Sequence, residues 1–99
     1  MAQQTNPNQQ EGLEKELLTH IRTISADLIG IEPQTITQMS DFRDDLGATP
    51  SEILKLLSNL EAMYGCTLDT DEKRMLIRQM DSDGLLVDDI IASFVDILE

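Results

Sequence analysis

The stretch DDLGATPSEILKLLSNLEAMYG, Asp44 to Gly65, decides the fold. It reads as a tight acidic turn followed by one complete amphipathic helix, helix II, over Pro50 to Tyr64. Thr49 is placed to cap that helix, because Glu52 follows three residues later and completes a capping box. Pro50 falls at the first helical position, where its missing N–H costs nothing and its fixed φ suits the helix. Gly65 closes it as a left-handed C′ residue. Ile53, Leu56, Leu57, Leu60 and Tyr64 fall within one arc at about 100° per residue and form the buried face. The opposite face carries Ser51, Lys55, Ser58 and Ala62, with Glu52 and Asn59 on a flank, and is small and nearly neutral.

Upstream lies a long connection, IEPQTITQMSDFRDDLGA, residues 31–48. Pro33 disfavours helix there by pushing its predecessor to extended geometry. Ile31, Ile36, Phe42 and Leu46 can tack the connection onto a core, and a long connection that returns apolar anchors is packed and often functional. Before it, Leu13, Leu17, Ile21, Ile24 and Leu28 recur at helical spacing, so helix I is expected from about Leu13 to Ile29, ended by Gly30. His20 falls outside that stripe and reads as a surface residue. Residues 1–11 are rich in Gln and Asn and read as a disordered tail ahead of a folded domain over 12–99.

Downstream, Cys66 packs as a small hydrophobe and Leu68 anchors a short linker. Asp69 to Met80 reads as a shorter helix III, with Asp69 or Thr70 as cap and Asp71 and Glu72 in the first turn. Asp81-Ser82-Asp83-Gly84 is a turn. It lacks the Glu that a calcium loop needs six residues past the Gly, where Ile90 stands. Helix IV, about Leu86 to Leu98, carries the strongest stripe: Val87, Ile90, Ile91, Phe94, Ile97 and Leu98. No strand pair, internal repeat, phosphate-binding Gly loop or metal cluster is visible.

Ninety-nine residues fit one small all-α domain, and with Phe42, Tyr64 and Phe94 as the aromatics the core must be aliphatic. The net charge of −12 argues against nucleic acid and against anionic membrane surfaces, both of which need basic patches. A single cysteine excludes an internal disulfide. No signal-like segment or membrane-length apolar run is seen, so a cytoplasmic monomer without a membrane span is expected.

The ordered set Ile36-Thr37, Phe42, Asp45-Leu46-Gly47 and Tyr64-Gly65, with its spacing and acidity, resembles the acyl carrier protein family. The similarity runs without gaps from about Ile31 to Gly65 and continues loosely to Leu98. It implies a four-helix bundle with a long first loop and a short third helix. It also implies a carrier of acyl or aminoacyl thioesters on a 4′-phosphopantetheine arm. In the family the arm sits on the Ser of an Asp-Ser-Leu triplet at the start of helix II. That triplet falls here on Thr49-Pro50-Ser51, and Pro50 has no hydroxyl to accept the arm. Ser51 is adjacent, but successive helical side chains differ by about 100° and about 1.5 Å along the axis.

The family also docks onto basic enzyme patches through an acidic helix II face with exposed apolar residues. The matching positions here are Thr49, Ser51, Glu52, Lys55, Ser58, Glu61 and Ala62, so attachment residue and docking face have changed together. The expectation is a non-catalytic, carrier-like protein without the attachment Ser and with no cofactor. It would act as an interaction or regulatory module toward a protein partner with a basic or mixed surface. The alternative is a working acyl or aminoacyl carrier with 4′-phosphopantetheine on Ser51. A further possibility sets the family aside and leaves an acidic bundle that binds a basic protein. Catalysis by the chain itself is not expected, since one His and one Cys offer no site.

Overall fold

A computed structural model describes the backbone from Asn6 and the side chains from Gly12, in both cases through Glu99. The described residues fold into four helices: α1 (Asn6–Ile29), α2 (Pro50–Tyr64), α3 (Thr70–Ser82) and α4 (Val87–Leu98). A single 3-10 turn, Pro33–Thr35, interrupts the long first connection. α1 packs against both α2 and α4, while α3 leans on α2. This is the all-α arrangement that the apolar stripes predict and the four-helix bundle that the family resemblance implies.

The core is aliphatic apart from Phe42 and Phe94. Leu17 and Ile21 of α1 meet Leu56, Leu57 and Leu60 of α2 and Ile90, Ile91 and Phe94 of α4, all with essentially no exposure. Ile36, Phe42 and Leu85 fill the remaining interior from loops. The buried line of α1 passes through Ser25 rather than Ile24, and the Ser25 hydroxyl has no partner among the described residues. Near the middle of α1, Glu16 accepts a 2.9 Å bond from the Tyr64 hydroxyl and ties α1 to the last turn of α2.

Two boundaries differ from the sequence reading, the start of α1 and the end of α3. α1 starts at Asn6, ahead of the expected Leu13, so residues 6–11 of the expected tail are helical backbone. Pro7 sits in the first turn, where no N–H is needed, and the Gln and Glu residues that follow are good helix formers. Residues 1–5 of that tail lie outside the described residues. α3 continues to Ser82 and, at 13 residues, slightly exceeds the 12 of α4, so the third helix is not the shortest. Its last turn closes through bonds from Asp83 and Gly84 N–H to the Gln79 carbonyl. Asp69 takes the N-cap position of α3 and Leu86 that of α4, neither with a side-chain capping bond; Leu86 N–H instead donates to the Asp89 carboxylate at 2.9 Å.

The first connection is held by a pairing that no local signal announces. Phe42 N–H donates to the Leu85 carbonyl at 2.8 Å, Val87 N–H to the Ser40 carbonyl at 2.9 Å, and Asp88 N–H to the Gln38 carbonyl at 2.9 Å. Residues 38–42 thus run antiparallel to 85–88, with an isolated bridge between Asp41 and Leu86. Gly84 makes this approach possible. It is buried at φ +98°, and a Cβ there would run into the Asp41 carboxylate. Arg22 adds a 2.7 Å bond to the Ile36 carbonyl from α1. The long loop is therefore a packed wall of the domain, and it delivers the acidic turn to the start of α2. No helix among the described residues is long and apolar enough to cross a membrane.

Candidate functional site

The start of α2 is the position the family resemblance singles out, and it is locked in place. The Asp41 carboxylate accepts from Arg43 N–H at 2.9 Å and Asp44 N–H at 3.2 Å, while Asp45 accepts from Asp41 N–H at 2.8 Å. The acidic turn is thus folded around its own carboxylates, which satisfy backbone donors that no helix or sheet covers. Gly47, at φ +69°, reverses the chain, and Leu46 and Ala48 are buried beneath it. Thr49 is extended at φ −97° and ψ 160°. Its hydroxyl accepts from Glu52 N–H at 3.2 Å, and Glu52 accepts from Thr49 N–H at 2.9 Å. The capping box read from the sequence is present, with Pro50 in the first turn and Gly65 left-handed at the end.

This closure decides what the site residues can offer. Thr49 and Glu52 use their side chains on the cap, which leaves them little freedom toward another molecule. Pro50 and Ser51 are exposed at the rim. Pro50 presents a ring and no oxygen, so it does not fit a phosphopantetheine linkage. Ser51 presents a hydroxyl one residue further round the helix. Bringing that hydroxyl to the place of Pro50 requires about 100° of rotation, which the capping box opposes.

Further along α2, Lys55, Ser58 and Ala62 are exposed and share the outer face expected of them. Glu61 does not join them. Its side chain is 13% exposed and lies 3.1 Å from Lys73 Nζ. The same carboxylate accepts from Leu68 N–H at 2.7 Å. Glu61 therefore latches α2 to the following loop and to α3. Cys66 sits beside this latch; burial pushes its thiol up from the ordinary value, and Glu61 adds to the effect. A thiol so shifted is a weak nucleophile at neutral pH. At the same end, burial raises the Tyr64 phenol far above its ordinary value, reinforced by its bond to Glu16. His20 lies edge-on to the Tyr64 ring, with centroids 5.9 Å apart, and 3.9 Å from Glu16.

The structure adds residues that the sequence reading passed over. Leu54 is apolar, lies off the buried stripe and is 43% exposed. It stands at the edge of a cleft of about 660 Å³ between α2 and α3, next to Pro50. Ile77 and Met80 contribute apolar surface from α3, and Arg43, Lys73, Arg74 and Arg78 line the same cleft. Leu54 was detectable as an apolar residue outside the periodic set. The cleft itself depends on how α2 and α3 sit together.

No family model matches the chain. Among curated proteins it is similar to the acyl carrier protein of Rubrobacter xylanophilus, 31% identical over 58 residues, which covers 59% of this chain and 72% of that protein. The acyl carrier protein of Exiguobacterium sibiricum is 31% identical over 62 residues, 63% of this chain and 78% of the relative. That of Afipia carboxidovorans is 25% identical over 71 residues, 72% and 90% of the two chains. With the helical bundle, the acidic turn and the capped α2 in the order the family uses, the chain belongs to the acyl carrier protein family.

Proposed function

We propose that this protein is a carrier-like module that works through protein interaction without a phosphopantetheine arm. The observation that carries the reading is Pro50, a residue without a hydroxyl, at the position where the family resemblance puts the attachment Ser. The capping box around it supports the same reading, since Thr-Pro-Ser-Glu makes a well-formed helix start at the place where a carrier keeps its reactive group. The exposed face of α2, with Ser51, Lys55, Ser58 and Ala62, meets a protein partner of mixed or basic surface. The net charge of −12 favours such partners and disfavours self-association, in keeping with a cytoplasmic monomer. The chain performs no catalysis of its own: its thiol is raised rather than activated, and its one histidine packs on a tyrosine.

The test is intact mass after incubation with a broad-specificity phosphopantetheinyl transferase and coenzyme A. The unmodified mass should persist in the parent protein. A Pro50→Ser variant that gains the arm would place the whole divergence at one residue. If the parent itself gains the arm and Ser51→Ala abolishes the gain, the protein is a working carrier modified on Ser51 and the proposal fails.

A further inference from the structure

The chain holds seven Lys and Arg residues against nineteen acids, yet four of the seven line the cleft between α2 and α3, where Asp81 is the one acid. Their engagements differ. Lys73 is paired with Glu61 and half-covered. Arg43 donates from Nε to Asp44 at 3.1 Å and from Nη1 to the Asp81 carbonyl at 2.6 Å, which leaves the rest of its fork open. Arg74 has a single long contact, 3.8 Å to Asp71, with both side chains largely exposed. Arg78 has no ion pair among the described residues. Between these cations lies apolar surface from Leu54, Ile77 and Met80.

We propose that this cleft is a docking site for an acidic amphipathic helix of a partner protein. The spacing specifies the occupant. Arg74 and Arg78 are four residues apart on one helix, so their side chains emerge one turn apart. Two carboxylates one turn apart on a facing helix match them, with an apolar residue between to cover Leu54 and Ile77, the helix-in-groove mode of recognition. A fatty carboxylate brings one anion and leaves one arginine unmatched. A nucleic acid brings a continuous run of phosphates against a protein of charge −12. Outside the cleft three bases stand against eighteen acids, so repulsion disfavours such a helix over the acidic remainder of the surface. This inference goes beyond the arm-free reading and makes the partner's mixed surface specific. The mass experiment tests the arm alone, and the cleft is tested apart from it.

The probe is a library of short random peptides displayed on phage, selected on the full-length protein. Enriched peptides should carry two acidic residues a helical turn apart beside a bulky apolar residue. Synthesised and measured by fluorescence anisotropy, they should bind saturably. The double variant Arg74→Gln/Arg78→Gln should weaken binding by about tenfold or more, as should Glu→Gln changes in the peptide. Both arginines lie at the surface, and an unchanged melting curve of the double variant confirms its fold. Lys15→Gln, on the exposed side of α1, should bind as the parent does. Enrichment of no sequence, or of basic ones, overturns the proposal. Equal binding by the arginine variant does so too. Displacement of the peptide by dodecanoate assigns the cleft to a small amphiphile and likewise overturns it.

Discussion

The starts of α2 and α3 solve the same problem in different ways. Both follow a loop, and both must provide partners for the free N–H groups of a first turn. α2 does this within four residues, through the Thr49–Glu52 box and Pro50, and then buries Ile53, Leu56, Leu57 and Leu60. α3 has Asp69 at its N-cap but no side-chain capping bond, and its buried residues are Leu76 and Met80. What holds its first half is the Glu61 latch, which reaches over from α2 to Leu68 N–H and Lys73. One wall of the cleft is thus fixed by its own sequence, and the other is fixed by its neighbour. The two walls therefore differ in what holds them in place.

The latch is the place to break this arrangement. Glu61→Ala leaves the Leu68 amide and the half-covered Lys73 ammonium without their partner, at a cost of about 2–3 kcal/mol. Urea unfolding should show this loss, and hydrogen exchange should show α3 amides losing protection before those of α2. Equal loss in both helices would mean that they unfold as one unit and that the contrast between them is false. At the other end of α3, Gly84→Ala has two faults: a left-handed φ of +98° and a Cβ aimed at the Asp41 carboxylate. It should destabilise by about 1–3 kcal/mol and loosen the pairing of 38–42 with 85–88, visible as faster exchange at Phe42 and Val87 N–H.

What could be read from the sequence divides along the same line. The α2 cap, its buried stripe and its glycine stop are encoded within a few residues of one another, so periodicity and capping rules recover them. The apolar faces of α1 and α4 are local in the same sense. The latch is not: Glu61 lies one turn past Leu57, on the flank of the stripe, where a carboxylate reads as surface. It turns inward only because Leu68 N–H and Lys73 need a partner, a demand that arises in folding. The antiparallel run of 38–42 along 85–88 pairs segments far apart in the chain, and nothing in either segment marks the other. The basic cleft is hidden for a similar reason. Arg43 comes from the first loop and Arg74 and Arg78 from α3, and in a chain of charge −12 scattered bases disappear into the average. The family resemblance pointed to the helix II face. The neighbouring groove became visible only when α3 was placed beside it.

The two caps allow a smaller and cleaner comparison. Thr49→Ala removes a hydroxyl that accepts a helix N–H, so about 1 kcal/mol of stability should go with it. Asp69→Ala removes a side chain that makes no capping bond, and only the weaker attraction of a carboxylate for a helix N-terminus is lost, a few tenths of a kcal/mol. Denaturant midpoints of the two variants check this directly. If Asp69→Ala costs as much as Thr49→Ala, α3 has a cap in solution, and the two helix starts are built alike.

The smallest effect expected is a pH dependence at the latch. Burial, and after it Glu61, raises the Cys66 thiol above its ordinary value. The unfolded chain, whose thiol titrates near pH 8.5, loses that proton first. The folded state then holds more protons, so the contribution of Cys66 to stability is intact below about pH 8.5 and is lost as the pH rises through the folded value. Tyr64 is raised for the same first reason and acts in the same direction at higher pH, beginning above about pH 10. Urea midpoints of the parent and of Cys66→Ala at pH 7 and pH 9.5 separate the two residues, because the difference between the proteins isolates the thiol. The parent should lose more stability than the variant across that interval. Glu61→Gln, which removes one of the two causes, should narrow the gap between the curves. An unchanged gap in that background would leave burial as the whole cause and would remove Cys66 from the electrostatics of the latch.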